Sequence, residues 1–368
     1  MTMAANKMKI GIIGCGSISG AYLGNGSSFN DIEIMACADI NMAAAEAKAA
    51  EFKVRAMTVD ELLKSPEIEL VVNLTIPAAH AEINLRALNA GKHVYCEKPL
   101  AISLADGKKI IELAQKKKLR VGCAPDTFLG AGLQTCRKII DDGWIGRPVA
   151  GTAFMMGTGP VGHPNPFFFF QTGAGPMFDL GPYYMTALVH LLGPVKTVSA
   201  CTQTSFPFRI ATCKEHFGKK IRVDVPTHCS GTLEFHNGAM ITVVMSWECC
   251  RHNHSPIEIY GTEGSLAVPD PNTFGGPVKI FRPGSEDWME SVLTHKYAKP
   301  SRIIGAADIA AAVKSGRAHR ASGELACHVL EIMHSFELSS KTRKHVVLKS
   351  KCARPAPLPT CLTEGMLD

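Results

Sequence analysis

The stretch MKIGIIGCGSISG, residues 8–20, decides the fold of this chain. Met8 to Ile13 is an apolar run with the length of a buried strand, and it leads directly into Gly14 and Gly16. The first glycine permits a tight turn, and the second lets the backbone approach a pyrophosphate. A helix would then begin near Ser17 and Ile18, and its N-terminus would offer free N–H groups to the phosphates. The stretch predicts a dinucleotide-binding strand–turn–helix unit; an ordinary glycine-rich turn is the alternative.

The following apolar run supplies a second part of the same predicted site. It extends from Ile32 to Ala38 and ends at Asp39. This aspartate stands roughly 20 residues past the glycines, where a carboxylate accepts the ribose hydroxyls of a dinucleotide. Ile40 and Asn41 follow, and neither can pair with a 2′-phosphate as an arginine would. The pattern therefore favours NAD over NADP.

A charged turn at the end of another apolar run is the most specific feature of the chain. His93 to Cys96 reads as a buried strand, and Glu97, Lys98 and Pro99 follow it. Open α/β sheets bind ligands at the carboxyl ends of their strands. A lysine–proline bond can also adopt the cis form, which would fix the direction of the lysine amine. We therefore expect Lys98 to be an active-site lysine; a salt bridge to Glu97 or to another surface acid is the alternative.

The order of predicted elements indicates an α/β protein with two domains. Strands alternate with helices through the first third of the chain, which predicts a doubly wound parallel sheet of the Rossmann type in residues 1–125. The pattern then changes to longer alternating segments with a hairpin signal at Asn237-Gly238. Residues 126–368 are therefore predicted to form an α+β domain with a large, mostly antiparallel open sheet.

Composition excludes several classes of function. The net charge of the 368 residues is +6 and shows no basic stripe, so no nucleic-acid partner is expected. No run of 18 apolar residues occurs, so we expect no membrane span. The 13 cysteines contain no C-x-x-C pair, and reduced thiols in the cytoplasm are the simplest interpretation. The segment 249–254, which holds two cysteines and two histidines, is read as a surface strand rather than a metal site, so no metal is predicted.

The second predicted domain contains one dense candidate segment. Four phenylalanines, residues 167–170, lie in a Gly/Pro-rich setting and predict a pocket wall, a lid or simple loop anchors. Asp179 and Tyr183 follow at the start of an apolar helix, four residues apart and so on one face. They would point at a substrate if that helix N-terminus faced the sheet edge, although Asp179 could instead be only a helix cap. His163 is a further candidate for substrate contact, with a solvated loop position as the alternative.

The motifs together resemble the glucose-fructose oxidoreductase / inositol dehydrogenase / rhizopine catabolism (Gfo/Idh/MocA) family. The resemblance covers nearly the whole chain and rests on the fingerprint at 14–19, the segment 73–77 with His80, the Glu-Lys-Pro turn at 97–99, and the segment 173–183. It implies reversible oxidation of a secondary hydroxyl on a carbohydrate, and a homodimer or homotetramer formed through the C-terminal sheet. It also implies further cofactor contacts, namely Thr75, Pro77, His80, Glu97 and Lys98, and substrate contacts at Lys98, Asp179 and Tyr183. Substrate specificity depends on loops, and the loop residue Phe128, like His163, is a further candidate for substrate contact.

Two departures from the family pattern bear on the substrate and the mechanism. Inositol dehydrogenases of this family carry D-x-G-x-H-x-x-D, whereas this chain has Tyr183 at the histidine position and Thr186 at the last aspartate. A free tyrosine, with a pKa near ~10, is a weak base at neutral pH, and an ammonium group lowers that pKa by favouring phenolate. We therefore expect Lys98 to orient the hydroxyl and Tyr183 to carry the proton, with Asp179 holding the hydroxyl. Lys98 acting directly is the alternative.

Two other functions fit the same motifs. One is a redox-neutral lyase or glycosidase, in which transient oxidation enables elimination and NAD is regenerated. The other is a non-catalytic NAD-binding regulator. The set of Lys98, Asp179 and Tyr183 argues against the regulator, because a sensor needs no proton relay.

Overall fold

The computed structural model describes residues 7–368. Its strands in chain order are β1 (Met8–Ile13), β2 (Ile32–Ala38), β3 (Arg55–Met57), β4 (Leu70–Asn73), β5 (His93–Cys96), β6 (Val121–Cys123), β7 (Pro148–Met156), β8 (Val195–Gln203), β9 (Phe208–Ile210), β10 (Lys220–Arg222), β11 (His228–Phe235), β12 (Met240–Ser246), β13 (Ile257–Gly261), β14 (Ser265–Val268), β15 (Val278–Phe281), β16 (Met289–Ser291) and β17 (Val346–Val347). The helices are α1 (Ser19–Asn25), α2 (Met42–Phe52), α3 (Val59–Lys64), α4 (Pro77–Asn89), α5 (Leu104–Lys117), α6 (Ala131–Asp141), α7 (Gly175–Asp179), α8 (Gly181–Leu192), α9 (Ile304–Ser315) and α10 (Gly323–Thr342).

The chain divides into two compact units. The first holds the described residues up to Ala131 together with Thr294–Leu330 and Pro355–Asp368. The second holds Gly132–Leu293 and Glu331–Arg354.

The first unit contains the predicted parallel sheet. Its six strands lie in the order β3-β2-β1-β4-β5-β6, and every neighbouring pair is parallel. The strand order reverses between β1 and β4, and doubly wound sheets bind their ligands at such a switch point. Ile13 is aligned with Ala38 and with Asn73, and Asn73 is aligned with Cys96. The four loops that follow these residues therefore meet at one edge of the sheet.

Local sequence signals explain several helix boundaries of this unit. Thr58 and Glu61 form a capping box, in which each side chain accepts a hydrogen bond from the other residue's backbone. Ser103 caps α5 by accepting from the Asp106 N–H at 3.1 Å. Pro77 begins α4, where its missing N–H costs nothing. These local signals fix the starts of α3, α4 and α5.

The first unit differs from the predicted division at residue 125, because later parts of the chain return to it. The buried Asp126 carboxylate accepts from the N–H groups of Ile303 and Gly305 at the start of α9, at 3.0 and 3.3 Å. Further along, Gly122 of β6 forms a β-bridge with Ser322. Residues 294–330 therefore belong to the first unit and not to the predicted C-terminal domain. Local sequence patterns carry no signal for such long-range pairing.

A buried ion cluster holds these returning segments. Asp308 of α9 is 0% exposed and contacts Arg317 and Arg320, each with an N–O distance of 2.6 Å. Arg320 also contacts the Asp368 carboxylate at 2.7 Å. The cluster ties α9 to the last residue of the sequence.

The second unit contains the predicted large open sheet. Nine strands lie in the order β16-β15-β14-β13-β7-β12-β11-β8-β17, and only the pair of β7 and β12 is parallel. The predicted hairpin turn at Asn237-Gly238 joins β11 to β12, with Gly238 at φ 89°. The α/β fold class is therefore confirmed.

Two further expectations concern the described residues. No helix within residues 7–368 combines the length and the apolar character needed to cross a membrane. The segment 249–254 forms no strand, which differs from the prediction. No group of three or more metal-ligating side chains was found in the described part of the chain, and this segment is included in it.

Candidate functional site

The fingerprint loop of the first unit depends on glycine at position 14. Gly14 has φ 106°, a backbone angle that residues other than glycine rarely adopt. A Cβ at this position would lie 2.6 Å from the Leu74 carbonyl. The Gly14 N–H donates to Ala38 O at 2.8 Å. The turn therefore lies tightly between β2 and the end of β4, and no larger residue fits.

Gly16 lies in the opposite environment. A Cβ built on it would meet no atom within 4 Å, so the open side of the loop has space for a group of a ligand. Gly16, Ser17 and Ile18 are all exposed, whereas Ser19 is buried and donates from Oγ to Gly16 O at 2.6 Å. The loop therefore presents its backbone to solvent just before α1, which suits a pyrophosphate.

Asp39 is held at the end of β2 by main-chain donors. Its Oδ2 accepts from the Cys15 N–H and its Oδ1 accepts from the Asn41 N–H, both at 2.8 Å. The carboxylate is half-buried, and the next side chain, Ile40, is 99% exposed. The carboxylate is thus fixed beside the fingerprint loop, as a ribose-binding group must be.

A hydrogen-bonded segment follows β4. Asn73 is fully buried, and its Oδ1 accepts from the Thr75 N–H and from Thr75 Oγ1 at 3.2 and 2.7 Å. Thr75 and Pro77 are half-buried, and Pro77 begins α4. His80 is 1% exposed, with Nδ1 2.6 Å from Pro99 O and Nε2 2.9 Å from Thr75 O. A hydrogen bond from this ring to a cofactor would require one of those contacts to be broken.

The Glu97-Lys98-Pro99 turn lies directly after β5, at the same sheet edge. The Lys98–Pro99 peptide bond is cis, as the sequence suggested. The Glu97 carboxylate accepts from Tyr22 Oη at 2.7 Å and from the Lys98 N–H at 2.9 Å. Glu97 and Lys98 are both half-buried. Helix α1 and the turn are therefore linked through one carboxylate, and the lysine stands at the predicted place.

The structure adds one residue to this edge and disfavours another. Tyr22 was not predicted; a tyrosine on the sheet-facing side of α1 is the only signal that could have indicated it. Phe128 was predicted to contact substrate, yet its side chain is 1% exposed. As placed, this ring has almost no surface to offer a ligand, and we correct that assignment to a role in packing.

In the second unit, Asp179 and Tyr183 do not share one helix. Asp179 ends α7, and α8 begins at Gly181 with Leu180 as its N-cap residue. The predicted i, i+4 face is therefore wrong. Pro182 explains the break between α7 and α8. Proline has no N–H to donate to the preceding turn and restricts the residue before it, so Pro182 lies in the first turn of a new helix. Asp179 is half-buried and Tyr183 is 7% exposed.

The four phenylalanines form a short 3₁₀ segment, Phe167–Phe170, with unequal roles. Phe170 is fully buried and packs edge-on against Trp247, with the ring centroids 5.1 Å apart. Phe168 is 38% exposed. His163 lies in an exposed loop, where its Nδ1 accepts from the Asn165 N–H at 3.0 Å. The segment is anchored by one ring and offers at least one other to solvent.

Two family models match the chain. A model described as an oxidoreductase family with an NAD-binding Rossmann fold matches residues 8–124. A model described as the GFO/IDH/MocA C-terminal domain matches residues 133–267. Together they cover most of the described sequence in the order that the motifs predicted.

Curated relatives match parts of the chain. Inositol 2-dehydrogenase of Salmonella typhimurium is 33% identical over 147 residues, which are 39% of this chain and 44% of that protein. The chain thus spans less than half the length of that relative. A dTDP-3,4-didehydro-2,6-dideoxy-alpha-D-glucose 3-reductase of Saccharopolyspora spinosa is 27% identical over 288 residues, which are 76% of this chain and 81% of the reductase.

Solved structures share the fold across nearly the whole chain. An NAD binding oxidoreductase from Klebsiella pneumoniae has a TM-score of 0.81 at 21% identity and covers 94% of this chain and 100% of its own. A levoglucosan dehydrogenase in complex with NADH and levoglucosan has the same TM-score at 22% identity and the same coverage. At this identity the likeness establishes the fold.

Proposed function

The chain belongs to the Gfo/Idh/MocA family of oxidoreductases, and from this premise we propose that it is a dehydrogenase. The proposed reaction is reversible oxidation of a secondary hydroxyl of a sugar, polyol or cyclitol, with NAD as the hydride acceptor. The observation that carries the proposal is Lys98, which follows β5 at the sheet edge beside the switch point. The names of the inositol, levoglucosan and dTDP-sugar relatives support a carbohydrate substrate.

The residues of the fingerprint edge fit a bound NAD. We assign the pyrophosphate to the exposed backbone at Gly16, Ser17 and Ile18, where the structure leaves open space. We assign the adenosine ribose to Asp39, whose carboxylate is oriented by two main-chain donors. NAD is favoured over NADP because Ile40 offers no charge to a 2′-phosphate. Thr75, Pro77, Glu97 and Lys98 remain the further proposed cofactor contacts.

The proposed chemistry needs a proton acceptor and an orienting charge. The nicotinamide supplies the hydride acceptor when NAD is bound. Lys98 donates a hydrogen bond to the reacting hydroxyl and stabilises the negative charge that develops on its oxygen. Tyr183 takes the hydroxyl proton, with Lys98 itself as the alternative acceptor. Asp179 holds the reacting hydroxyl or its neighbour, and His163 contacts the rest of the substrate.

We further propose a homo-oligomer and a cytoplasmic location. The exposed side of the nine-stranded sheet carries half-exposed Phe154 and Met156 on β7 and Val244 on β12, and this apolar centre suits a second copy of the chain. All 13 cysteines are free and eight of them are buried, which suits a reducing compartment. Sedimentation of the purified protein would test the oligomer.

The test of the dehydrogenase is nicotinamide absorbance during incubation with NAD and a panel of sugars, polyols and inositols. Wild type is compared with Lys98→Met and with Lys109→Met, which removes an exposed charge on α5. NADH formation that is lost in Lys98→Met and kept in Lys109→Met is the expected result. Tight NAD binding without turnover would refute the dehydrogenase in favour of the regulator, and product formation without net NADH would favour the redox-neutral lyase.

A further inference from the structure

The buried His80 ring has an environment that defines its charge. Both ring nitrogens face main-chain carbonyl oxygens, Nδ1 at 2.6 Å from Pro99 O and Nε2 at 2.9 Å from Thr75 O. Carbonyl oxygens only accept hydrogen bonds, and a neutral imidazole has a single N–H to donate. Both contacts are satisfied at once only if the ring is an imidazolium. A neutral ring would leave one nitrogen lone pair against a carbonyl oxygen.

A lone cation in the interior is costly, so the ring needs an anion nearby. The Cys96 thiol, which is fully buried at the end of β5, is the group that can supply this anion. Burial alone would lower the pKa of His80, but the Cys96 charge and the two carbonyls outweigh it and raise that pKa to about 9. Burial alone would raise the pKa of Cys96, but the neighbouring Cys123 and Asn84 side chains and the His80 charge lower it to about 6. Both shifts favour a protonated ring and a deprotonated sulfur.

The surroundings keep the charge on this one sulfur. Cys123 is aligned with Cys96 on the neighbouring strand β6. Burial is the main cause that raises the pKa of Cys123, and the interaction with Cys96 is the second. The charges of Glu97 and Asp126 act in the same direction. Cys123 therefore stays a thiol, and its S–H donates to Glu97 O at 3.7 Å.

The two carbonyls belong to the two loops that matter for the proposed chemistry. Pro99 follows Lys98 directly, and Thr75 follows β4, the neighbouring strand. We propose that His80 and Cys96 form a buried imidazolium–thiolate pair that positions the Lys98 turn against the Thr75 loop. The pair forms by transfer of the Cys96 thiol proton to the imidazole, so no oxidant or co-reactant is involved.

The positioning role rests on the proposed function of Lys98, whereas the ionisation of the pair does not. In Cys96→Ser the hydroxyl stays neutral, and burial of His80 is no longer opposed by a counter-charge. Its pKa should then fall from about 9 to the ordinary value of ~6.5 or below. The ring would release one of its two carbonyls at pH 7.5, and the Lys98 turn would lose one of its attachments.

The first test observes the ring itself in wild-type protein without cofactor or substrate. The protein is labelled with ¹⁵N-histidine, and the His80 signals are those missing in His80→Gln. We expect two protonated ring nitrogens at pH 7.5 and a midpoint near 9. His319 is the internal control, because it is also buried, donates through Nε2 to Val121 O at 2.8 Å, and has its pKa lowered by burial. A His80 ring with one proton at pH 7.5 would overturn the proposal.

The second test observes the sulfur and its effect on turnover. Ultraviolet thiolate absorbance at pH 7.5 should drop by one thiolate in Cys96→Ser and stay unchanged in Cys136→Ser, whose buried thiol has its pKa raised by burial. The kcat of Cys96→Ser should fall at least ~10-fold at pH 7.5 and recover below its lowered His80 midpoint.

A kcat in Cys96→Ser equal to that of wild type at every pH would refute the positioning role even if both spectra agree. Wild type that is inactive on every substrate would refute the proposed function. The two spectra would still decide whether the pair exists, so the two failures are distinguishable.

Discussion

Gly14 and Gly16 stand two residues apart in the same loop, yet alanine should act on them in opposite ways. At Gly14 the backbone has φ 106°, and the new Cβ would lie 2.6 Å from the Leu74 carbonyl oxygen and 2.8 Å from the Thr75 nitrogen. Left-handed backbone costs a non-glycine residue roughly 1–2 kcal/mol. Displacing the packed backbone adds about 1–3 kcal/mol. We therefore expect Gly14→Ala to lose about 2–5 kcal/mol of unfolding free energy.

At Gly16 neither cost arises. No atom lies within 4 Å of the built Cβ, and no left-handed φ constrains the residue. The stability change should therefore stay within about 0.5 kcal/mol. The Cβ instead fills space that the pyrophosphate is proposed to occupy, so we expect Kd for NAD to rise ~10- to 100-fold, which corresponds to about 1.4–2.8 kcal/mol.

Two measurements separate these effects. Thermal unfolding without NAD should place Gly16→Ala within about 1 °C of wild type and Gly14→Ala roughly 5–15 °C lower. Calorimetric titration with NAD should show weakened binding by the folded Gly16→Ala protein. The reasoning is refuted if Gly16→Ala melts as low as Gly14→Ala, or if it binds NAD as tightly as wild type.

Three further variants test other parts of the first unit. Asp308→Asn should cost about 3–5 kcal/mol in urea unfolding, because it leaves the buried Arg320 without its full counter-charge; a change below 0.5 kcal/mol would contradict this. The double variant Asp39→Ala with Ile40→Arg should shift the ratio of NADP to NAD affinity at least ~10-fold toward NADP. An unchanged ratio would refute the assignment of the adenosine ribose to Asp39. Burial lowers the pKa of His319, so its contribution to stability is present above the ordinary value of ~6.5 and is lost as the pH falls. His319→Gln should therefore flatten the decline of Tm between pH 6.5 and 5. A decline as steep as that of wild type would contradict this prediction.

The elements of the first unit were predictable because their signals are local. β1 and β2 have the bounds that the apolar runs gave, and the Thr58 capping box is present. The positions of Asp39 and Lys98 at strand ends followed from the same runs. Strands of a parallel sheet with both faces covered are nearly continuous apolar runs, and such runs are readable without a structure.

The parts that sequence reasoning missed depend on contacts distant along the chain. The i, i+4 argument for Asp179 and Tyr183 assumed one continuous helix, and Pro182 was the local warning that a break lies between them. Phe128 was assigned to substrate from its place in a loop, but its burial is decided by tertiary packing. The carbonyl partners of His80 are 5 and 19 residues away, and no helix or strand periodicity of the sequence predicts these contacts.

The return of the late segments to the first unit bears on how the protein is made by the ribosome. Synthesis runs from the N-terminus, and domains generally fold as units when their last residues emerge. Here the first six strands emerge early. Asp126, however, gains the N–H donors of Ile303 and Gly305 only when residues 303–305 have been synthesised, and Asp308 gains its ion pair only when Arg320 has been synthesised. The nucleotide-binding half therefore finishes folding after the sheet of the other half has been synthesised. A nascent chain stalled near residue 290 would expose that unfinished half to chaperones, and expression of residues 1–131 alone would yield a fragment in which Asp126 lacks these two main-chain donors.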